Sequence, residues 1–166
     1  MPMPRNSSEL NAAYIADAML GRLARWLRML GFDVLYQAHI ADQDLIRTAQ
    51  RQGRVILTRD TEVALRRSVR PMSILITAND IAGQIREFLE KADIREGARS
   101  ALRCAACNGI QRVISDKESV AGMVPDHVYR QHDRFLRCEN CGKLYWEGSH
   151  FRNFQALLRE IRASRR

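Results

Sequence analysis

Apolar positions follow two alternating periods through about Ala92. "AAYIA" is a short continuous apolar run ending at Asp17 and predicts a buried strand. "MLGRLARWLRML" then places Leu20, Leu23, Leu27 and Leu30 at helical spacing, with Gly31 as the expected C-cap. "DVLY" predicts a second strand. "ADQDLIRTAQRQG" predicts a helix with Asp42 as N-cap, Leu45, Ile46 and Ala49 as its apolar stripe and Gly53 as its stop. "RVILT" is a third strand leading into Arg59 and Asp60, "EVALRRS" a short helix and "MSILIT" a fourth strand. "NDIAGQIREFLEKA" closes the series as a helix capped by Asn79 or Asp80, with Ile81, Ile85, Phe88 and Leu89 facing inward. Strands alternating with helices predict an α/β fold with a parallel sheet. The nearly unbroken apolar runs VILT and SILI fit strands covered on both faces.

The pattern then changes. Residues 93–103 are polar and basic and read as a linker. Short β-like pieces follow at Val113–Ile114, His127–Tyr129, Phe135–Leu136 and Leu144–Trp146. The last stretch, "SHFRNFQALLREIRASRR", predicts an amphipathic helix with Ser149 as N-cap and Phe151, Phe154, Leu157, Leu158 and Ile161 as its stripe. No repeat of fixed period is present. The expected organisation is a disordered leader over 1–11, an α/β domain over 12–97, and a small module with a terminal helix over 98–166.

Composition sharpens this picture at three points. Hydrophobic content of 46% and charged content of 28% exclude a disordered chain. No apolar run reaches the roughly 20 residues of a membrane span, and "MPMPRNSSEL" lacks the apolar core of a secretory signal, so a cytoplasmic protein is expected. The net charge of +8 is carried mostly by arginine, since only Lys91, Lys117 and Lys143 are lysines. Arginine suits bidentate phosphate recognition, although solvated arginine faces are also common.

Four cysteines form two C-x-x-C turns: "CAACNG" with Cys104 and Cys107, and "CENCGK" with Cys138 and Cys141. A spacer of 30 residues separates the turns. Two such turns complete a closed four-thiolate site for zinc, structural rather than catalytic; iron or an iron–sulfur centre shares the ligand set. Gly109 and Gly142 are expected to relax the backbone after each turn. A zinc ribbon of this kind could serve as a binding arm, presenting Arg137, Tyr145 and Trp146 to nucleic acid, or could simply brace the fold.

Ligands of an open parallel sheet gather at the carboxyl ends of its strands. Asp17, Asp42, Asp44, Asp60 and Asp80 all fall on that predicted edge, whereas Asp33, Asp93 and Asp116 do not. Converging carboxylates form a hard-oxygen site suited to magnesium or manganese, which can position a phosphodiester and activate water. Helix capping offers a competing account, strongest for Asp44 and Asp80. Arg22, Arg25 and Arg28 drift across one side of the first helix and could line a groove beside Asp17 or form a solvated face; Arg22, Arg25 or Arg59 could instead pair with Asp17 and Asp60.

"IADAMLGRLARWLRMLGFDVLY", "DQDLIRTAQRQGRVILTRD", "CAACNG", "VPDHVY" and "CENCGKLYWEGSHF" together resemble, in order, the Mut-seven C-terminal RNase family over about residues 13–155. The resemblance implies a PIN-like three-layer α/β/α sandwich with a C-terminal zinc ribbon. It further implies a magnesium- or manganese-dependent ribonuclease hydrolysing RNA phosphodiester bonds at Asp17, Asp42 and Asp60, with Asp44 and Asp80 as additional acids. Two other readings stand beside it. One is a non-catalytic RNA- or tRNA-binding zinc-ribbon protein. The other is a phosphate enzyme of the doubly wound type, disfavoured by the absence of a Gly-rich phosphate loop.

Overall fold

The computed structural model of the chain describes residues 12–94 and 102–163. The expected leader, and the boundary expected between 97 and 98, lie outside them. A four-stranded parallel sheet is built from β1 (Ala13–Ala16), β2 (Asp33–Tyr36), β3 (Val55–Thr58) and β4 (Ser73–Leu75), in the order β2-β1-β3-β4. The connecting helices are α1 (Gly21–Met29), α2 (Asp42–Gln52), α3 (Thr61–Leu65) and α4 (Ile81–Lys91). A three-stranded antiparallel sheet follows, ordered β5 (Gln111–Val113), β6 (Phe135–Cys138), β7 (Leu144–Trp146), with α5 (Asp126–Gln131) inserted before β6 and α6 (Ser149–Ala163) at the end.

Alternation along the strands sorts the side chains into two cores. Tyr14, Ala16, Val34, Leu57 and Ile76 face α1, α4 and α6, while Ile15 and Ile56 face Leu45 and Ala49 of α2 and Val63 of α3. The result is an α/β/α sandwich. Leu20, Leu23 and Leu27 are buried in the first of these cores, each contributing about 2 kcal/mol relative to exposure. Helix α1 ends in a Schellman turn: Gly31 N–H donates to Arg28 and Phe32 N–H to Leu27, with Gly31 at φ 94°.

Three local expectations change. His127–Tyr129 is helical, not extended, because Pro125 and Asp126 start α5 and Val128 turns into the ribbon core. Ala41, not Asp42, is the N-cap of α2. Finally, α6 follows the ribbon in sequence but buries Phe154, Leu158 and Ile161 against the sandwich, alongside Leu27 and Phe88. The two sheets are therefore joined at both ends of the ribbon.

Candidate functional site

Strand β1 has β2 on one side and β3 on the other, so the connection from β2 to β3 passes over it. The crevice between the carboxyl ends of β1 and β3 is the switch point where doubly wound sheets hold ligands. Asp17 leaves β1 there, and Thr58, Arg59 and Asp60 leave β3. Asp17 is 7% exposed, and its carboxylate accepts three hydrogen bonds. Met19 N–H donates to Oδ1 at 2.9 Å; the Thr58 hydroxyl and Arg59 N–H donate to Oδ2 at 2.6 and 2.8 Å. Thr58 Oγ1 in turn accepts Asp60 N–H at 2.9 Å. Asp17 N–H donates to Leu57 O, so the strand pairing itself fixes the two segments.

Asp60 caps α3 through Oδ1, which takes Glu62 and Val63 N–H at 2.7 and 3.2 Å. Asp80 caps α4 by accepting Gly83 N–H at 2.8 Å, a bond that draws its carboxyl below the usual range. Asp42 is exposed on the first turn of α2, and Asp44 is engaged with Arg47 at 3.2 Å. The structure thus couples Asp17 to Asp60 through Thr58. Among the described residues it brings no three carboxylates together: the four cysteines form the only group of at least three such side chains whose ligand atoms all lie within 4.8 Å.

Tyr36, at the end of β2, closes the rim on the α1 side. Its hydroxyl donates to Ala18 O at 3.1 Å, and its ring covers Gly21, where a Cβ would stand 2.5 Å from it. Glu87 of α4 ties down the loop after β4. It accepts Thr77 and Ala78 N–H, the Thr77 hydroxyl, and Lys91 Nζ at 2.6 Å. Burial alone would raise the Glu87 carboxyl, but the Lys91 bond and the loop donors outweigh it and hold it at about 2.

The cysteines meet as their spacing predicts. Cys104 and Cys141 sulfurs lie 3.7 Å apart, Cys107 and Cys138 3.4 Å. The edge of a tetrahedron with 2.3 Å metal–sulfur bonds is about 3.8 Å, so the set fits zinc. The turns are alike: Asn108 N–H donates to Cys104 O, and Gly142 N–H to Cys138 O. Asn108 and Gly142 adopt φ of 70° and 72°. Asn108, not Gly109, is therefore the left-handed residue of the first turn, a conformation asparagine tolerates. Gly109 is needed for space, since a Cβ there would lie 2.8 Å from Asn140. Burial raises the Cys104 thiol, but the Tyr145 hydroxyl at 2.9 Å and the amides of Cys107 and Ala106 bring it down to about 6. Burial and neighbouring thiols push Cys107 up to about 12.

Arg28 is not a surface phosphate contact. It is 4% exposed and donates to Val34 O at 2.8 Å and to Ala105 and Ala106 O at 3.1 Å each, joining α1 and β2 to the first cysteine turn. Asn108 completes this seam. Its Oδ1 accepts Val34 N–H at 3.0 Å, and its Nδ2 donates to Asp33 at 2.8 Å. Asp33 also meets Arg54 at 2.7 Å and Arg103 at 3.4 Å. Edge strand β2 is thereby covered by the ribbon, and its outward N–H and C=O at Val34 are satisfied. Sequence reasoning missed this seam; its one legible signal was the Asn after the second cysteine of "CAACN". Of the remaining expected RNA contacts, Arg22 and Arg25 are exposed. Arg59 is held by Asn79 at 2.7 Å and Arg137 by Met123. Tyr145 points at Cys104, and Trp146 packs partly against the ribbon core.

Among the described residues, no helix is long and apolar enough to cross a membrane. No curated protein and no solved structure matches the chain. The family model described as Mut7-C RNAse domain matches residues 12–158, and this description points to a nuclease, RNA-related function. With most of its length matched, the chain belongs to the Mut7-C RNAse domain family.

Proposed function

We propose that the chain is a ribonuclease that hydrolyses RNA phosphodiester bonds with the help of magnesium or manganese, and that Asp17, Asp42 and Asp60 are the acids of its reaction centre. The observation that carries this reading is the Asp17–Thr58–Asp60 linkage at the switch point of the sheet. A buried carboxylate fixed by three donors at a ligand-binding crevice is oriented before any substrate arrives. The ion would supply charge neutralisation and water activation. Asp60 has Oδ2 and exposed Asp42 its whole carboxylate free of the hydrogen bonds and ion pairs found among the described residues, so both have oxygens left to offer a cation. Asp17 orients the β1–α1 turn and offers the lone pairs its donors leave. Asp44 and Asp80 belong to ion pairing and capping in this reading.

A non-catalytic RNA-binding module is the second reading. It is supported by the capping roles of Asp17, Asp60 and Asp80, each of which accepts amides at a helix start. Incubating zinc-loaded protein with a mixed RNA pool separates the two. Cleavage that requires added manganese or magnesium supports the nuclease, whereas binding without cleavage under every ion condition supports the binding module.

A further inference from the structure

A groove of about 1270 Å³ lies away from the Asp17 rim. Its walls are the second half of α1 with Arg25, Trp26 and Met29, the strand β7, helix α5 and one side of α6 that runs from Arg152 to Arg159. Asp17 precedes α1, whereas the groove meets that helix at its other end; the nine residues of α1 span about 12 Å between those ends. The volume exceeds the roughly 300–1,000 Å³ of small-molecule sites. A segment of polymer fills it better than a metabolite does.

The charge is one-sided. Arg25, Arg134, Lys143, Arg152 and Arg159 line the groove and are exposed, and none of them makes an ion pair among the described residues. Glu147 is the single acid in the lining. Aromatic rings share the lining: Trp26 is half-buried and braced against Phe154 at a centroid distance of 5.2 Å, and Trp146 is half-buried as well. Unpaired cations around aromatic rings are the two elements by which single strands are held, phosphates by charge and bases by stacking. A duplex offers the same phosphates but keeps its bases stacked on each other.

We propose that this groove binds a single-stranded RNA tract and anchors the strand at a distance from the Asp17 rim. The proposal rests on the reading of the chain as RNA-acting but not on its being a catalyst. The rings in the lining favour RNA over an acidic protein segment.

The test is fluorescence anisotropy of the full zinc-loaded chain with a labelled 12-nucleotide single-stranded oligo(U) RNA, without added magnesium or manganese. The triple variant Arg134→Gln, Arg152→Gln, Arg159→Gln should weaken binding at least tenfold. Its slope of log affinity against log salt should shrink by about 2, since each lost phosphate contact removes about 0.7. A charge-matched control, Arg51→Gln, Arg67→Gln, Arg70→Gln, changes exposed residues outside the groove and should lose much less. Circular dichroism and zinc content confirm that both variants fold. A 12-base-pair duplex should bind the wild type more weakly than the single strand. Wild-type affinity and slope in the groove variant, or an equal loss in the control, overturns the proposal. Duplex binding as tight as single-strand binding overturns its single-strand part. Because no catalytic ion is present, these outcomes are independent of whether Asp17 supports cleavage.

Discussion

The hydroxyl of Thr58 donates to Oδ2 of Asp17 at 2.6 Å, both side chains being buried at the carboxyl ends of adjacent parallel strands. The same Oγ1 accepts Asp60 N–H. A single hydroxyl thus sets the orientation of one acid and the start of the helix that the other caps. Replacing it by a methyl, Thr58→Val, leaves one donor and one carboxylate lone pair unmet and should cost about 1–3 kcal/mol. Urea denaturation measures that loss. RNA cleavage should fall further than the lost folded fraction explains, by about tenfold, equivalent to about 1.4 kcal/mol in the barrier.

Arg28 links the two sheets through three backbone carbonyls. Arg28→Met should destabilise the chain by about 3 kcal/mol, because the buried Val34 carbonyl and the two part-buried carbonyls of the cysteine turn lose a charged donor. Arg28→Lys should not restore the loss, since an ammonium lacks the planar fork that reaches Val34 and both knuckle carbonyls at once. Denaturant midpoints of the three proteins check this.

Zinc removal should be felt in the sandwich as well as in the ribbon. Asn108 holds the Val34 amide only while the first cysteine turn keeps its shape. Stripping the metal with a zinc-selective chelator should speed hydrogen exchange at Val34 N–H and lower the melting temperature of the whole chain. Exchange at Ile56 and Leu57, in the middle of the sheet, should change least. Unaltered exchange at Val34 would show that the ribbon and β2 are not coupled.

Acid should loosen the loop after β4. Glu87 titrates at about 2 in the folded chain, against an ordinary 4.5. Its stabilising contribution is complete above about pH 4.5 and is lost as pH falls through about 2, below which the folded and unfolded chains bind the same proton. Glu87→Gln should flatten stability against pH within that window and leave it parallel to wild type above pH 5. A denaturation series from pH 6 to pH 2 measures both slopes.

Much of this was written in local periodicity. The strands at Ala13–Ala16 and Val55–Thr58 and the helix carrying Leu23 and Leu27 follow from patterns that depend on few distant residues, and the cysteine turns follow from ligand spacing. The cover of β2 did not follow. Arg28 looked like the third member of a basic face because its partners, Val34 and Ala105–Ala106, are identified only by tertiary contact. Helix α6 was legible as amphipathic, but its stripe carries no address, and it packs on α1 and α4 rather than on the ribbon it follows. His127–Tyr129 reads as β by composition; the proline before Asp126 outweighed that preference. The sheet edge was legible for Asp17 and Asp60, but the distances among the acids depend on helix starts, which sequence periodicity does not fix.

The central claim is that Asp17 belongs to a reaction centre. The most direct measurement is single-turnover cleavage of a mixed RNA pool with manganese by wild type and Asp17→Asn, with RNA affinity and melting temperature measured on the same preparations. The account predicts that Asp17→Asn retains RNA binding and most of its stability while cleavage falls at least a hundredfold. Cleavage persisting at the wild-type rate in a folded Asp17→Asn protein would contradict it.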